Sequence, residues 1–150
     1  MRGFLLDTNV VSMLSPSAPY APAPFLDWLE RMDGAGRIFL SVVVVHEIEK
    51  GIALLDHKGA TAKAAALKAW LAGLTTNYDD KILGLDAATA AFSGRLEASA
   101  IAGGYAPGMA DAIIAGIAQA HDLTVVTGNI RHFLSLGIDV SSPDAVAGSR

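Results

Sequence analysis

The chain has 150 residues, 52% of them hydrophobic and only 17% charged, with a formal net charge of −4 and no cysteine. That is one domain's length with ample apolar material for a core, and the lack of cysteine excludes a disulfide framework and thiolate metal chemistry. The acidic surface as a whole repels nucleic acid, so such a partner needs local help; no stretch reads as a membrane span or a signal peptide, and the expected location is the cytoplasm.

Gly3 to Leu6 predicts a short buried strand, and Asp7, Thr8 and Asn9 offer caps for a helix directly after it. Residues 15–24, SPSAPYAPAP, hold four of the six prolines and read as a loop into a helix carrying Phe25, Leu26, Trp28, Leu29 and Met32. Asp33 to Gly36 break that helix, Arg37 to Leu40 form a second strand, and Ser41 caps a helix VVVVHEIEKGIALLD. Four consecutive valines favour a strand by propensity. Val45, Ile48, Ile52 and Leu55 nevertheless recur at helical spacing, which decides for helix.

Gly59 to Leu74 has the pattern of an amphipathic surface helix. Ile82 to Leu85 predicts a third strand, with Asp86 or Thr89 opening an alanine-rich helix that ends near Gly103 and Gly104. From Pro107, GMADAIIAGIAQAH is apolar nearly all round, the mark of a buried helix. LTVVTGN is a fourth strand with its turn, Ile130 to Leu136 a short helix, Ile138 to Val140 a last strand, and residues 141–150 a frayed tail. Short strands alternating with helices predict a single α/β domain of three layers, a mostly parallel sheet with helices on both faces. Ligands of such sheets bind at the carboxyl ends of the strands.

Three carboxylates stand in apolar settings. Asp7 falls at the carboxyl end of the first strand, where an N-cap role competes with a functional one. Glu47 and Glu49 lie about 200° apart around a helix axis. Glu49 groups with His46, Lys50 and Ala53, whereas Glu47 flanks the apolar stripe, where an unpartnered carboxylate is costly to desolvate. Asp111 is the only charged residue between Gly103 and His121. A favourable helix dipole, about 0.3–1 kcal/mol, does not offset the several kcal/mol of burying it alone.

Gathered in one cleft, these acids would repel one another unless a divalent cation neutralised them, and oxygen-only ligands suit Mg²⁺ or Mn²⁺. Thr8, Asn9 and Asn129 are neutral polar groups near the same strand ends, suited to orienting a carboxylate or a water and equally to plain turn roles. The four histidines show no ligand spacing, Asp86 reads as a cap, and the two tryptophans read as packing.

The segments FLLDTNVVS, SVVVVHEIEKGI, MADAIIAGIA and LTVVTGNIRHF, in this order and spacing, resemble the PIN-domain toxins of bacterial VapBC toxin–antitoxin systems over nearly the whole chain. The resemblance implies a homodimeric, Mg²⁺- or Mn²⁺-dependent endoribonuclease, held inactive by a cognate antitoxin that inserts a segment into the site. Residue by residue it matches Asp7, Glu47 and Asp111 to the family's acids and Thr8 and Asn9 to the polar neighbours of the first. One departure stands out: the family usually carries a further acid at the place of Asn129 or His132, and TGNIRHF has none. Weaker activity, or a preference for Mn²⁺, is the expectation.

The reading is therefore that Asp7, Glu47 and Asp111 hold a cation that activates water against an RNA phosphodiester. Asn129 is an auxiliary ligand or orienting group, and Arg131, His132, Lys50 and Arg95 are candidate phosphate contacts. Two rivals remain. A phosphatase of the haloacid dehalogenase type would use Asp7 as nucleophile but carry a second acid where Asn9 stands; a degenerate PIN fold would bind or regulate without cleaving. Helices over residues 25–32 and 42–56 are candidate dimer or antitoxin surfaces.

Overall fold

A computed structural model describes residues 2–148. Strand β1 (Gly3–Leu6) turns at Asp7 into α1 (Thr8–Ser12), and the proline-rich loop leads to α2 (Ala23–Gly34). Then come β2 (Ile38–Ser41), α3 (Val42–His57), α4 (Thr61–Tyr78), a 3₁₀ turn at Asp79–Lys81 and β3 (Ile82–Leu83). The second half runs α5 (Ala87–Ala102), α6 (Met109–Ala120), β4 (Leu123–Val126), α7 (Ile130–Leu134), β5 (Val140–Ser141) and α8 (Pro143–Ala147).

The strands pair in the order β3-β2-β1-β4-β5, every neighbour parallel. Successive strand residues point to opposite faces, and here that alternation divides the core in two. Leu6, Ile38, Leu40 and Val126 pack with α1 to α4 and α8, while Leu5, Leu123 and Val125 pack with α5, α6 and α7. The expected three-layer α/β arrangement forms, with an all-parallel sheet. No helix among the described residues is long and apolar enough to cross a membrane.

The valine run is helical, as the period predicted over propensity. Ser41 caps it, its Oγ accepting from the Val44 N–H, and the buried line is Val44, Ile48 and Ile52; Val45 and Leu55 lie half-buried beside it. Two strand bounds differ from expectation. β3 ends at Leu83 because its neighbour β2 ends at Ser41, the partner of Leu83, so Leu85 has nothing to pair with. The last strand starts at Val140, the first residue of that segment in register with β4.

The stretch expected to fray is ordered as far as Gly148. Ser142 Oγ accepts from the Ala145 N–H at 3.0 Å, Pro143 opens α8, and Val146 is buried in the core that also holds Phe25 and Trp28. The serine cap, proline in the first turn and Asp144 are ordinary helix-start signals, and one buried valine is enough to dock so short a helix. The last two residues of the expected tail lie outside the described residues.

Helices α5 and α6 approach closely at Gly116. A Cβ there would stand 2.0 Å from Ser93 Oγ and 3.1 Å from Ser93 Cβ, and that hydroxyl is tied to the Thr89 carbonyl at 2.9 Å. Gly116→Ala is expected to destabilise the fold by roughly 1–3 kcal/mol through overpacking. Thermal melting reads this, with Ser93→Ala in the same chain recovering part of the loss; an unchanged melting point would show that the helices separate freely.

Candidate active site

The chain lays β1, β2 and β3 to one side and returns to the other side of β1 for β4 and β5. The carboxyl ends of β1 and β4 therefore form the switch point at which such sheets open a crevice. Asp7 follows β1 and Thr127 follows β4, and the Asp7 N–H donates to the Val126 carbonyl at 2.9 Å.

Asp7 fills the N-cap role with one carboxylate oxygen and is held from the other side as well. Its Oδ1 caps α1, accepting from the Thr8 N–H at 2.8 Å. Its Oδ2 accepts from the Thr127 hydroxyl at 2.8 Å and from Asn9 Nδ2 at 3.2 Å. The residue is only 6% exposed, and that burial pushes its carboxyl above the ordinary range. Hydrogen bonds from Thr127, Thr8 and Asn9 oppose the shift, and the negative charge of Glu47 adds to it.

Thr127, which the sequence reading passed over, is the hub of the site. It is fully buried. While donating to Asp7, its Oγ1 accepts from the Asn129 N–H at 2.9 Å and from Asn9 Nδ2 at 3.3 Å, which uses the whole capacity of a hydroxyl. Asn9 Oδ1 in turn accepts from the Gly128 N–H at 2.9 Å. The start of α1 is thus clasped to the turn after β4. The signal available beforehand was a polar residue closing the apolar run LTVV.

Glu47 rises half-buried from α3, and its Oε1 accepts from the Thr8 hydroxyl at 2.5 Å. Glu49 is exposed, as the helical wheel required. Asp111 lies in the first turn of α6 with its Oδ2 3.5 Å from His132 Nδ1. Burial first, then the charges of Asp7 and Glu47, push the Asp111 carboxyl up to about 6, against an opposing contribution from His132. Asp7, Glu47 and Asp111 are therefore brought within electrostatic reach of one another.

The remaining candidates fall at the rim or outside. Asn129 is exposed at the start of α7, and among the described residues its side chain makes no hydrogen bond to any of the three acids; it joins the network through its backbone N–H alone. Arg131 is exposed on α7. Lys50 is exposed on α3, and Arg95 lies over the Phe92 ring of its own helix.

The donor set fits a hard divalent cation in its chemistry: carboxylate oxygens from three elements, repelling one another, with His132 as the only ion-pair partner among the described residues. Among the described residues no three acidic or imidazole side chains converge closely enough to hold an ion as they stand. Thr8 holds Glu47 and three donors hold Asp7.

Fold and site together define a PIN-type α/β protein, and the PIN domain family matches residues 4–137. The chain belongs to that family. It is 33% identical over 140 residues to the plasmid stability protein StbB of Pseudomonas syringae pv. tomato, covering 93% of this chain and 96% of that protein. It is 30% identical, with the same coverage, to the toxin FitB of Neisseria gonorrhoeae. Among solved structures, the crystal structure of FitAcB from Neisseria gonorrhoeae aligns with a TM-score of 0.80 at 30% identity, covering 93% of this chain and 97% of that one. DNA-bound VapBC from Salmonella typhimurium, 23% identical over 95% of this chain and 99% of that one, shares the fold with a TM-score of 0.76.

Proposed function

We propose that the chain is a metal-dependent endoribonuclease, the toxin of a toxin–antitoxin pair. The observation that carries this reading is the set Asp7, Glu47 and Asp111, held on three elements at the sheet's switch point with their charges unneutralised by lysine or arginine, so that Asp111 is pushed up to about 6. A fold that kept such repulsion without use would lose stability for nothing.

When bound, Mg²⁺ or Mn²⁺ supplies the positive charge that offsets the carboxylates, acidifies a water and steadies charge on a phosphodiester oxygen. The chain's own part is placement. Thr127 and Asn9 aim Asp7, Thr8 aims Glu47, and His132 faces Asp111. Asn129 contributes through the backbone bond that fixes Thr127.

A partner of the antitoxin class follows from the similarity to FitB and to the FitAcB and VapBC structures. A groove of about 270 Å³ beside the acids suits a segment of it, with Thr8 and Glu47 next to Ile52, Leu67 and Trp70 in its lining. Homodimerisation is carried over from the same resemblance. The rival reading, a binding module without cleavage, is favoured by one feature: Asn129 and His132 stand where the family usually has an acid.

Purified, antitoxin-free protein incubated with a pool of structured RNAs separates the two. Cleavage is expected with Mn²⁺, less with Mg²⁺, and none in EDTA. Folded protein that neither cleaves nor gains thermal stability from either ion would establish the binding module.

A further inference from the structure

We propose that the cavity between the α5–α6 loop and α7 is a subsite for one nucleotide of single-stranded RNA, beside the scissile phosphate; this rests on the nuclease reading above. The cavity measures about 190 Å³ and is lined by Tyr105, Ala106, Pro107, Arg131, His132 and Ser135. His132 is shared: it walls the cavity and faces Asp111 at 3.5 Å. The His132 side chain thus joins this space to Asp111.

The lining has the chemistry of a nucleotide. Tyr105 is a large ring left 61% exposed, so the core does not need it, yet its backbone is fixed. The Tyr105 N–H donates to the Ala100 carbonyl at 2.9 Å, Gly104 closes the end of α5 at a φ of 90°, and Gly108 opens α6 at 87°. An aromatic face on a fixed loop loses little conformational freedom when a base stacks on it.

Arg131 is exposed and, among the described residues, makes no ion pair or hydrogen bond through its side chain. In a chain of net charge −4, an unpaired guanidinium lining the cavity next to His132 is the local help that a polyanion needs. Ring for base and guanidinium for phosphate is how single strands are held. A peptide carboxylate would use Arg131 and leave the ring idle.

The full-length protein is titrated in EDTA, where RNA is not cut, against a fluorescently labelled single-stranded RNA of mixed sequence, and anisotropy is read at several salt concentrations. Tyr105→Ala is expected to weaken binding roughly tenfold with the salt dependence unchanged, while Tyr105→Phe binds as wild type because the ring does the stacking. Arg131→Ala is expected to weaken binding and lower the salt slope by about one phosphate contact. Melting temperatures of all three should match wild type, since both side chains are exposed.

Wild-type affinity and salt slope in Tyr105→Ala and Arg131→Ala would overturn the subsite and leave the nuclease reading standing. If the wild type itself neither binds nor cleaves RNA, the nuclease reading falls and takes the subsite with it. Variants that bind RNA normally but no longer hold a co-expressed antitoxin would assign the surface to a protein partner instead.

Discussion

Asp111→Asn is expected to abolish metal-dependent RNA cleavage, by at least about a hundredfold, and at the same time to raise the thermal stability of the metal-free protein at pH 8. The two effects have one origin. Folding raises the Asp111 carboxyl from 3.8 to about 6, through burial and the nearby charges of Asp7 and Glu47. The folded chain therefore holds that proton more tightly than the unfolded one, and stability falls as pH rises through this window. Above it the penalty of the charged form is complete, and asparagine carries none.

With the side chain 20% exposed, the gain at pH 8 is on the order of 1–2 kcal/mol, or about 2–8 °C in melting temperature. It should shrink to nothing below about pH 4, where both chains are neutral at this position. Added Mn²⁺ should reverse the order, stabilising wild type and not the variant. Melting curves across pH, in EDTA and in Mn²⁺, test all of this. A variant less stable than wild type at every pH would make Asp111 a structural residue.

The parts of this molecule that were legible in the sequence are those written in local pattern. The period of Val45, Ile48, Ile52 and Leu55 outweighs the strand propensity of four valines, because a capped helix with one apolar stripe docks on a sheet whatever its intrinsic preference, although the buried line itself starts from Val44. Asp7, Glu47 and Asp111 stood out because each is a charge in apolar surroundings, which a chain must explain by pairing or by use. Asp86 also behaved as read, accepting from the Thr89 N–H at 2.7 Å.

What escaped depends on contacts made across the chain. Thr127 meets Asp7 from 120 residues away, and only the adjacency of β1 and β4 makes a threonine at a strand end anything more than a turn residue. The place of Asn129 in TGN suits an auxiliary ligand or an orienting group, and its backbone part could not be read there. The start of α7 leaves its side chain exposed and uses its backbone instead. Helix α8 escaped because five residues are too few for a period to show.

Thr127→Val puts this hub to the test with almost no change of shape. The variant leaves Asp7 Oδ2 with Asn9 alone and the Asn129 N–H without its acceptor, in a place where unmade hydrogen bonds cost about 1–3 kcal/mol. It also removes the strongest of the bonds that hold the Asp7 carboxyl down, so that carboxyl should move further up. A higher pH is then needed to reach the ionised form that binds a cation. The concentration of Mn²⁺ giving half-maximal cleavage is expected to rise about 10- to 100-fold. The acid limb of the pH–rate profile should move to higher pH, while saturating metal recovers most of the rate. Thr127→Ser keeps the hydroxyl and gives up only the methyl group, which valine retains, and it should leave both the metal titration and the pH profile near those of wild type. That contrast separates positioning from packing: if the serine variant, with its hydroxyl intact, is as impaired in metal titration as the valine one, the hydroxyl does not set the site and the positioning role of residue 127 falls.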